Sequence, residues 1–286
     1  MHPVGLKLSG AAVFLIVTGV TAVITWEILT ALLGLYAIVS TIAALLVLYL
    51  SVAGGDLVHH SNNVFQALQS NDISQARNAV ALLVGRDTDS MDRTTISRAC
   101  VESVSENLVD GITAPLFWAI LSAFGAAFFS SPPIIGAATG ALTYKAINTM
   151  DSMFGYKDKR YIDFGYVAAV MDDLFNFLPA RITGFSIIAA AYLLGNDSRQ
   201  SMRVFFEDRL NSSSPNSGHP EAAVAGALGI QLGGPASYFG ERIEKPFIGQ
   251  GLRFPEAADI PICNRLVIAS AFLFLLSSCV IIILVL

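Results

Sequence analysis

Residues 8 to 25 and 28 to 53 are two apolar runs separated only by Trp26 and Glu27, each near the length of about 20 residues that an α-helix needs to cross a bilayer. The first run resembles the apolar region of a signal peptide. Its positive flank, however, amounts to Lys7 alone and no small-residue cleavage site precedes the second run, so a retained helical hairpin is expected, with Trp26 at the interface. Residues 112 to 129 and 133 to 150 form a second hairpin, broken at Ser130-Ser131-Pro132-Pro133. Residues 161 to 194 are apolar apart from Asp172-Asp173 and Pro179-Ala180-Arg181, and read as one amphipathic helix plus one span or as a broken pair. Residues 262 to 286 form a last span. The expected fold is therefore all-α: a polytopic membrane protein with about five or six spanning helices and amphipathic surface helices. Its composition agrees, with 54% hydrophobic and 14% charged residues and a mean hydropathy of +0.61.

A net charge of −5 without a basic tract excludes nucleic acid as a partner, because phosphate backbones are bound by clustered Lys and Arg. Cys100, Cys263 and Cys279 have neither CxxC nor Cys/His spacing, so neither a disulfide framework nor a zinc site is indicated. The pair His59-His60 reads as polar residues at a membrane surface. P-loop, Gly-x-Ser-x-Gly and HExxH motifs are all missing from the sequence.

The chain reads as a single membrane domain over residues 1 to 286, with an N-terminal hairpin at 8 to 53 and a polar amphipathic region at 54 to 110. Core helices at 111 to 194, a polar loop with a short helix at 195 to 261, and the span at 262 to 286 follow. Within 54 to 110, two short amphipathic helices are expected, broken at Ser70-Asn71-Asp72 with Asn71 or Asp72 as cap. Asp92 should cap the next helix. Lys157, Lys159 and Arg160 put positive charge beside membrane helices, which places their loop, and a site near it, on the cytoplasmic side of a cell membrane. Ser212 to Glu221 is turn-rich and opens into a short helix at 222 to 232, which would direct N–H groups outward as an anion site. Glu221 is equally a partner for the helix dipole. With one span near 174 to 194 this loop lies opposite residues 54 to 110; with two crossings the polar segments share a side.

Three polar groupings stand out. Arg98, Glu102, Glu106 and Asp110 recur every fourth residue, with Asn107 beside them, so a helix would gather them into one stripe. Such a stripe could bind Mg²⁺, hold a cationic group or transfer protons, although periodicity alone favours a solvated face with Arg98 paired to Glu102. Lys145, Asn148 and Ser152 share a face at the end of an apolar segment, close to Asp151, where a membrane protein does not leave such residues without reason. Snorkelling is the competing account of Lys145. Asp172, Asp173 and Asn176 form an acidic cluster that reads either as oxygen ligands or as helix capping.

Taken in order, these stretches resemble a known family. The matching segments are Val84-Gly85-Arg86-Asp87-Thr88, Arg98-Ala99, Glu102, Glu106-Asn107, Asp110-Gly111, Ala114-Pro115-Leu116-Phe117, Tyr144-Lys145-Ala146-Ile147-Asn148-Thr149 and Asp151-Ser152-Met153. Gly155-Tyr156, Tyr161, Phe164-Gly165, Asp172-Asp173, Asn176, Pro179-Ala180-Arg181, Ser214-Pro215-Asn216, Gly218, Ala225-Gly226-Ala227-Leu228-Gly229, Leu232-Gly233-Gly234 and Lys245-Pro246 continue them. Over roughly residues 52 to 255 the chain resembles the CobD/CbiB cobalamin biosynthesis family, the membrane-bound adenosylcobinamide-phosphate synthases.

The resemblance implies ATP- and Mg²⁺-dependent amide formation between a propionate of adenosylcobyric acid and the amine of (R)-1-amino-2-propanol phosphate or a related amino alcohol. Partners would then be a corrinoid, the amino alcohol phosphate and membrane lipid, with oligomerisation open. The resemblance supplies motif positions and no roles; from their side-chain chemistry, Lys145, Asp151, Glu102 and Glu106 would be catalytic, while Asp172 and Asp173 would hold metal. Arg86, Arg98, Asn107, Asn148, Ser152, Asn176, Arg181, Ser214, Asn216, Glu221 and Lys245 would bind substrate. Lys145, Arg86 and Arg181 would neutralise phosphate, with backbone donors supplied by the Ser214-Pro215-Asn216 loop. Family members usually carry a further apolar helix before the His-Pro-Val segment, so this chain is expected to be a truncated or short member. They also more often have an aromatic residue at the position of His219. The rival reading is a membrane transporter or a noncatalytic sensory relative. A transporter predicts pseudo-symmetric halves and a polar path, and neither is visible in the sequence.

Overall fold

A computed structural model describes residues 3–155, 161–238 and 240–285. In chain order its helices are α1 (Pro3–Leu35), α2 (Ala37–Ser51), α3 (Gly54–Gln69), α4 (Ile73–Ala81), α5 (Arg93–Leu108), α6 (Ala114–Phe128), α7 (Pro133–Phe154), α8 (Tyr166–Leu193), α9 (Ser198–Asp208), α10 (Gly218–Leu228) and α11 (Asp259–Val285). Among the described residues, four strands of two or three residues make two small antiparallel pairs: β1 (Leu232–Gly233) with β4 (Phe247–Ile248), and β2 (Ala236–Tyr238) with β3 (Glu241–Ile243). Among the described residues, five helical runs are long and apolar enough to cross a membrane: Pro3–Leu35, Ala37–Gln69, Arg93–Phe128, Tyr166–Leu193 and Asp259–Ile283. The protein is an all-α polytopic membrane protein. Its chain divides into two compact units, Met1–Val52 with Ala114–Asn176, and Ala53–Thr113 with Phe177–Leu286.

In the first unit α7 packs against α1, α2 and α6. Gly136 and Gly140 permit the approach to α6, since a Cβ on either would overlap the Ser122 position, and one on Gly140 would also meet the Trp118 carbonyl. The expected break at Trp26-Glu27 is not there: α1 runs through both, and the turn of the hairpin falls at Tyr36, whose backbone is extended. Trp26 instead packs on a cluster of Leu29, Ala44, Ile135 and Ala138, and Ser40 Oγ ties the hairpin by donating to the Leu29 carbonyl at 2.8 Å.

The expectation for 161 to 194 also changes. One helix, α8, passes through Pro179. Proline removes the N–H that would have met the carbonyl four residues earlier, at Phe175. Trp118 replaces that donor, its indole Nε1–H reaching the Phe175 carbonyl at 3.0 Å, so the helix continues without a buried orphan acceptor.

In the second unit the expected amphipathic pair is present as α3 and α4, and Asp72 caps α4 by accepting from Gln75 N at 2.8 Å. Asp92 caps α5 by accepting from Thr95 N at 2.8 Å. The π-helical turn Val109–Thr113 follows α5, and its wider pitch interrupts the every-fourth-residue register at Asp110. The short helix expected at 222 to 232 begins four residues earlier, and α10 is buried at every position from Gly218 to Ala227. Small residues make this enclosure feasible: Gly226 faces the Gln200 and Ser201 backbone of α9, where a Cβ would collide, and Ser201 Oγ donates to the Ala223 carbonyl at 2.7 Å.

Candidate functional site

The predicted residues fall into two groups, one in each unit. In the first unit, Tyr144 and Asn148 of α7 meet Asp172 and Asn176 of α8, while Ser152 Oγ turns back on α7 and donates to the Asn148 carbonyl at 2.9 Å. Asp172 Oδ1 accepts from Asn148 Nδ2 at 3.2 Å and its Oδ2 from Asn176 Nδ2 at 2.9 Å, while Tyr144 OH donates to Asn176 Oδ1 at 2.8 Å. Lys145 Nζ reaches Asn148 Oδ1 at 3.4 Å. Each helix contributes residues four apart, so the cluster follows directly from helical spacing. Asp172, Asn148 and Asn176 are buried, and their polar groups satisfy one another as the surrounding apolar helices require. Asp151 lies in the last turn of α7, where Gly155 N–H closes onto its carbonyl at 2.6 Å. Asp173 is next to Asp172 on α8, and adjacent helical residues face different ways. Lys157, Lys159 and Arg160, on which the cytoplasmic assignment was based, lie outside the described residues.

In the second unit the centre is Glu102. Its Oε2 accepts from Arg86 Nη2, its Oε1 accepts from Gly233 N–H at 2.7 Å, and Arg98 Nε stands 4.0 Å from that same Oε1. Only 7% of Glu102 is exposed, so the solvated face favoured by periodicity fails at Glu102, whereas Glu106 is exposed and the Arg98–Glu102 pair is present. Gly233 and Gly234 make the backbone donor available: both have positive φ, at 72° and 79°, a conformation that residues with a Cβ rarely adopt. Burial works against the Arg86 charge, and Glu102 more than offsets it, leaving the guanidinium more basic than usual.

Glu221 lies in the first turn of α10 and is 8% exposed. Burial, reinforced by the charges of Glu102 and Glu106, pushes its carboxyl well above the usual carboxylate range against the opposing pull of Arg86 and Lys245. Lys245 Nζ donates to Tyr238 OH at 2.8 Å. Asn107 turns back onto α5, donating to the Ser103 carbonyl at 2.9 Å.

A second grouping in this unit joins Arg181 to Asn216, with Nη1 to Oδ1 at 3.3 Å. The guanidinium also lies over the Phe177 ring, 3.5 Å from its centroid. Ser214 Oγ accepts from the N–H groups of Asn216 and Ser217 at 3.2 and 3.4 Å. The anion loop expected to point outward is instead enclosed: Asn216, Ser217, Gly218 and His219 are all buried. Both ring nitrogens of His219 are buried without a hydrogen-bond partner. Burial, then Arg181 and Arg209, lowers its pKa to about 4, which keeps the imidazole neutral. Sequence reasoning missed Arg242, Tyr238 and Trp118, which belong to no periodic pattern. Gly233 was visible only as part of the family match.

Among the described residues, no group of three His, Cys, Asp or Glu side chains is placed to hold a metal ion. No solved structure matches the chain. The family model described as CobD/Cbib protein matches residues 2–267. A cobalamin biosynthesis protein CobD of Desulfotalea psychrophila is 48% identical over 253 residues, covering 88% of this chain and 77% of the relative. Another of that name, from Photorhabdus laumondii, is 41% identical over 271 residues, covering 95% and 81%. The cobalamin biosynthesis protein CbiB of Salmonella typhimurium is 40% identical over 261 residues, covering 91% and 77%. With a family model matched along nearly its whole length and relatives this similar, the chain belongs to the CobD/CbiB family of cobalamin biosynthesis proteins.

Proposed function

We propose that the protein is an adenosylcobinamide-phosphate synthase, joining a propionate carboxylate of adenosylcobyric acid to the amine of (R)-1-amino-2-propanol phosphate or a related amino alcohol phosphate. The observation that carries this reading, beyond the family itself, is Glu221 buried beside Glu102, Glu106, Arg86 and Lys245. Amide formation needs a neutral amine, and an amino alcohol arrives as ammonium. A carboxylate whose affinity for protons has been raised by burial and by neighbouring negative charge is suited to take that proton. Glu221 is therefore the base; burial raises its pKa first, and the negative charge of Glu102, fixed by Arg86 and Gly233 N–H, adds to it. The ion pair and backbone hydrogen bond limit movement of this frame.

Phosphoryl transfer from ATP to the propionate would give an acyl phosphate and ADP; attack by the neutral amine would form the C–N bond, break the acyl C–O bond and release inorganic phosphate. Magnesium, when bound with the nucleotide, would neutralise phosphate charge. Such an ion is usually held by one or two carboxylates together with phosphate oxygens and water. Asp172 suits that role, because each of its oxygens accepts one amide hydrogen and retains a further lone pair. The oxygen-rich surroundings of Asn148 and Asn176 fit a hard cation better than a soft one. On the same reading Lys145 offers a positive charge beside this cluster.

The test is an assay of detergent-solubilised protein with adenosylcobyric acid, aminopropanol phosphate, ATP and Mg²⁺, with product read by mass spectrometry. Adenosylcobinamide phosphate is expected from the parent protein, and a kcat lower by about 10²-fold or more in Glu221→Gln. A folded parent that makes no product with any amino alcohol phosphate overturns the reading.

A further inference from the structure

A cavity of about 350 Å³ in the second unit is lined by Arg86, Arg98 and Arg242, together with Ser90, Thr95 and the Pro235–Ser237 backbone. That volume lies at the lower end of the range for small-ligand sites, about 300 to 1,000 Å³. Its two acidic neighbours are engaged by backbone donors: Asp87 Oδ2 accepts from Gly240 N–H at 2.8 Å, and Asp92 Oδ1 accepts from Thr95 N–H at 2.8 Å.

The three guanidiniums are not equally engaged. Arg86 is paired with Glu102. Arg242 Nε pairs with Glu244 at 2.9 Å, and both of these side chains are 71% exposed, so the pair is weak and readily exchanged. Arg98 is loosely engaged: its ion pair with Glu102 is long, at 4.0 Å, and that carboxylate is already held by Arg86 and Gly233 N–H. Its side chain is 12% exposed, its Nη2 donates to the Pro235 carbonyl at a long 3.3 Å, and its buried Nε has no hydrogen-bond partner. A guanidinium carries five N–H donors in a rigid fork that matches a tetrahedral oxyanion. Thr95 and Arg98 also belong to the first turns of α5, the end at which a helix favours negative charge.

We infer that this cleft seats the phosphate monoester of the amine substrate, with Arg98 as its principal ligand and Arg242 closing over it from β3. The inference rests on the synthase reading for the identity of the ester; the cleft itself rests on the arginines. A compact dianion fits one guanidinium held only by a 4.0 Å ion pair and one long hydrogen bond, plus one exchangeable one.

The test is calorimetric binding to the full-length protein in detergent, using aminopropanol phosphate, unphosphorylated aminopropanol, inorganic phosphate and ADP as separate probes. The phosphorylated amine is expected to bind at least tenfold more tightly than the free amine. Arg98→Gln should abolish that preference, and Arg242→Gln, an exposed change that leaves packing intact, should weaken it several-fold. In turnover both variants should raise KM for the phosphorylated amine more than they lower kcat. Equal binding of the two amines, an unchanged preference in both variants, or loss of ADP binding alone would overturn the assignment. If the ester binds through Arg98 and no amide product forms, the cleft stands and the synthase reading falls. If product forms with KM unchanged in both variants, the synthase reading stands and the cleft falls.

Discussion

The polar cluster of the first unit and the charged centre of the second meet the same physical requirement by different means. In the first, Tyr144, Asn148, Asp172 and Asn176 come from two helices, each supplying residues four apart, and amides complement a carboxylate. In the second, Arg86, Glu102 and Gly233 come from distant parts of the chain; the Gly233–Glu102 hydrogen bond alone joins residues 131 apart. Buried full charges set against one another make a centre that tolerates the loss of no partner. Removing the carboxylate of the first cluster strands two neutral amides rather than a buried guanidinium, so its loss is smaller.

That contrast predicts the largest effect at Glu102. Glu102→Ala leaves Arg86 buried without its carboxylate and Gly233 N–H without its acceptor, and is expected to cost about 3 to 5 kcal/mol. Both tryptophans, Trp26 and Trp118, lie in the first unit, which allows the consequence to be localised. Thermal unfolding followed by circular dichroism should move to lower temperature by more than unfolding followed by tryptophan emission. Coincident shifts would show that the two units melt as one and would dissolve the contrast.

Asp172→Ala is the matching change in the first unit. It removes the acceptor of the Asn148 and Asn176 amides, and a destabilisation of about 2 kcal/mol is expected, here moving the tryptophan midpoint. Asp172→Asn, which retains one oxygen acceptor, should recover part of it. A loss in Asp172→Ala equal to that in Glu102→Ala would mean that amide clusters and ion pairs are equally brittle in this protein.

The same difference governs what could be read from the sequence. Helical spacing was sufficient to bring Lys145, Asn148 and Ser152 to one face, to place caps at Asp72 and Asp92, and to break the second hairpin at Ser130 to Pro133. Each of these depends on neighbours within a few residues. The approach of Arg86 and Gly233 to Glu102 depends on tertiary folding of α10 and the strands, for which local periodicity carries no signal. Motif order indicated that these residues mattered without indicating that they touch. Pro179 misled for a related reason: a proline breaks a helix unless another group replaces the lost N–H, and Trp118 is 61 positions away in sequence, by the numbering of the two residues. The enclosed first turn of α10, Gly218 to Glu221, was assigned to an outward loop because Ser, Pro, Asn and Gly also favour turns at a surface.

His219 sharpens the comparison through pH. Its two ring nitrogens are buried without a partner, so His219→Phe, packing against Phe205, whose ring lies 5.7 Å from the imidazole, is expected to stabilise by about 1 to 2 kcal/mol at pH 7. The folded-state pKa of about 4 lies below the ordinary 6.5. The unfolded chain therefore takes up the proton first, and stability held above pH 6.5 declines as the pH falls toward 4. His219→Phe should remove that part of the acid slope. A variant with the parent's slope would assign acid lability elsewhere.

The smallest effect belongs to the purely local element of the second unit. Asp92→Ala removes the cap of α5 and is expected to cost about 1 kcal/mol. The hydrogen bond from Thr95 N–H holds the Asp92 carboxyl below its ordinary value of 3.8, so its contribution is complete above that value and is lost as the pH falls through the lowered folded-state pKa. The difference in unfolding midpoint between parent and Asp92→Ala should therefore be constant from pH 7 to 5 and narrow in stronger acid, whereas Asp92→Asn, itself a good cap, should differ little from the parent. Asp92 also borders the arginine cleft, and removing its charge should tighten rather than weaken binding of a phosphate ester there. A loss as large as that in Glu102→Ala would mean that the start of α5 is part of the charged centre and that capping is only its local appearance.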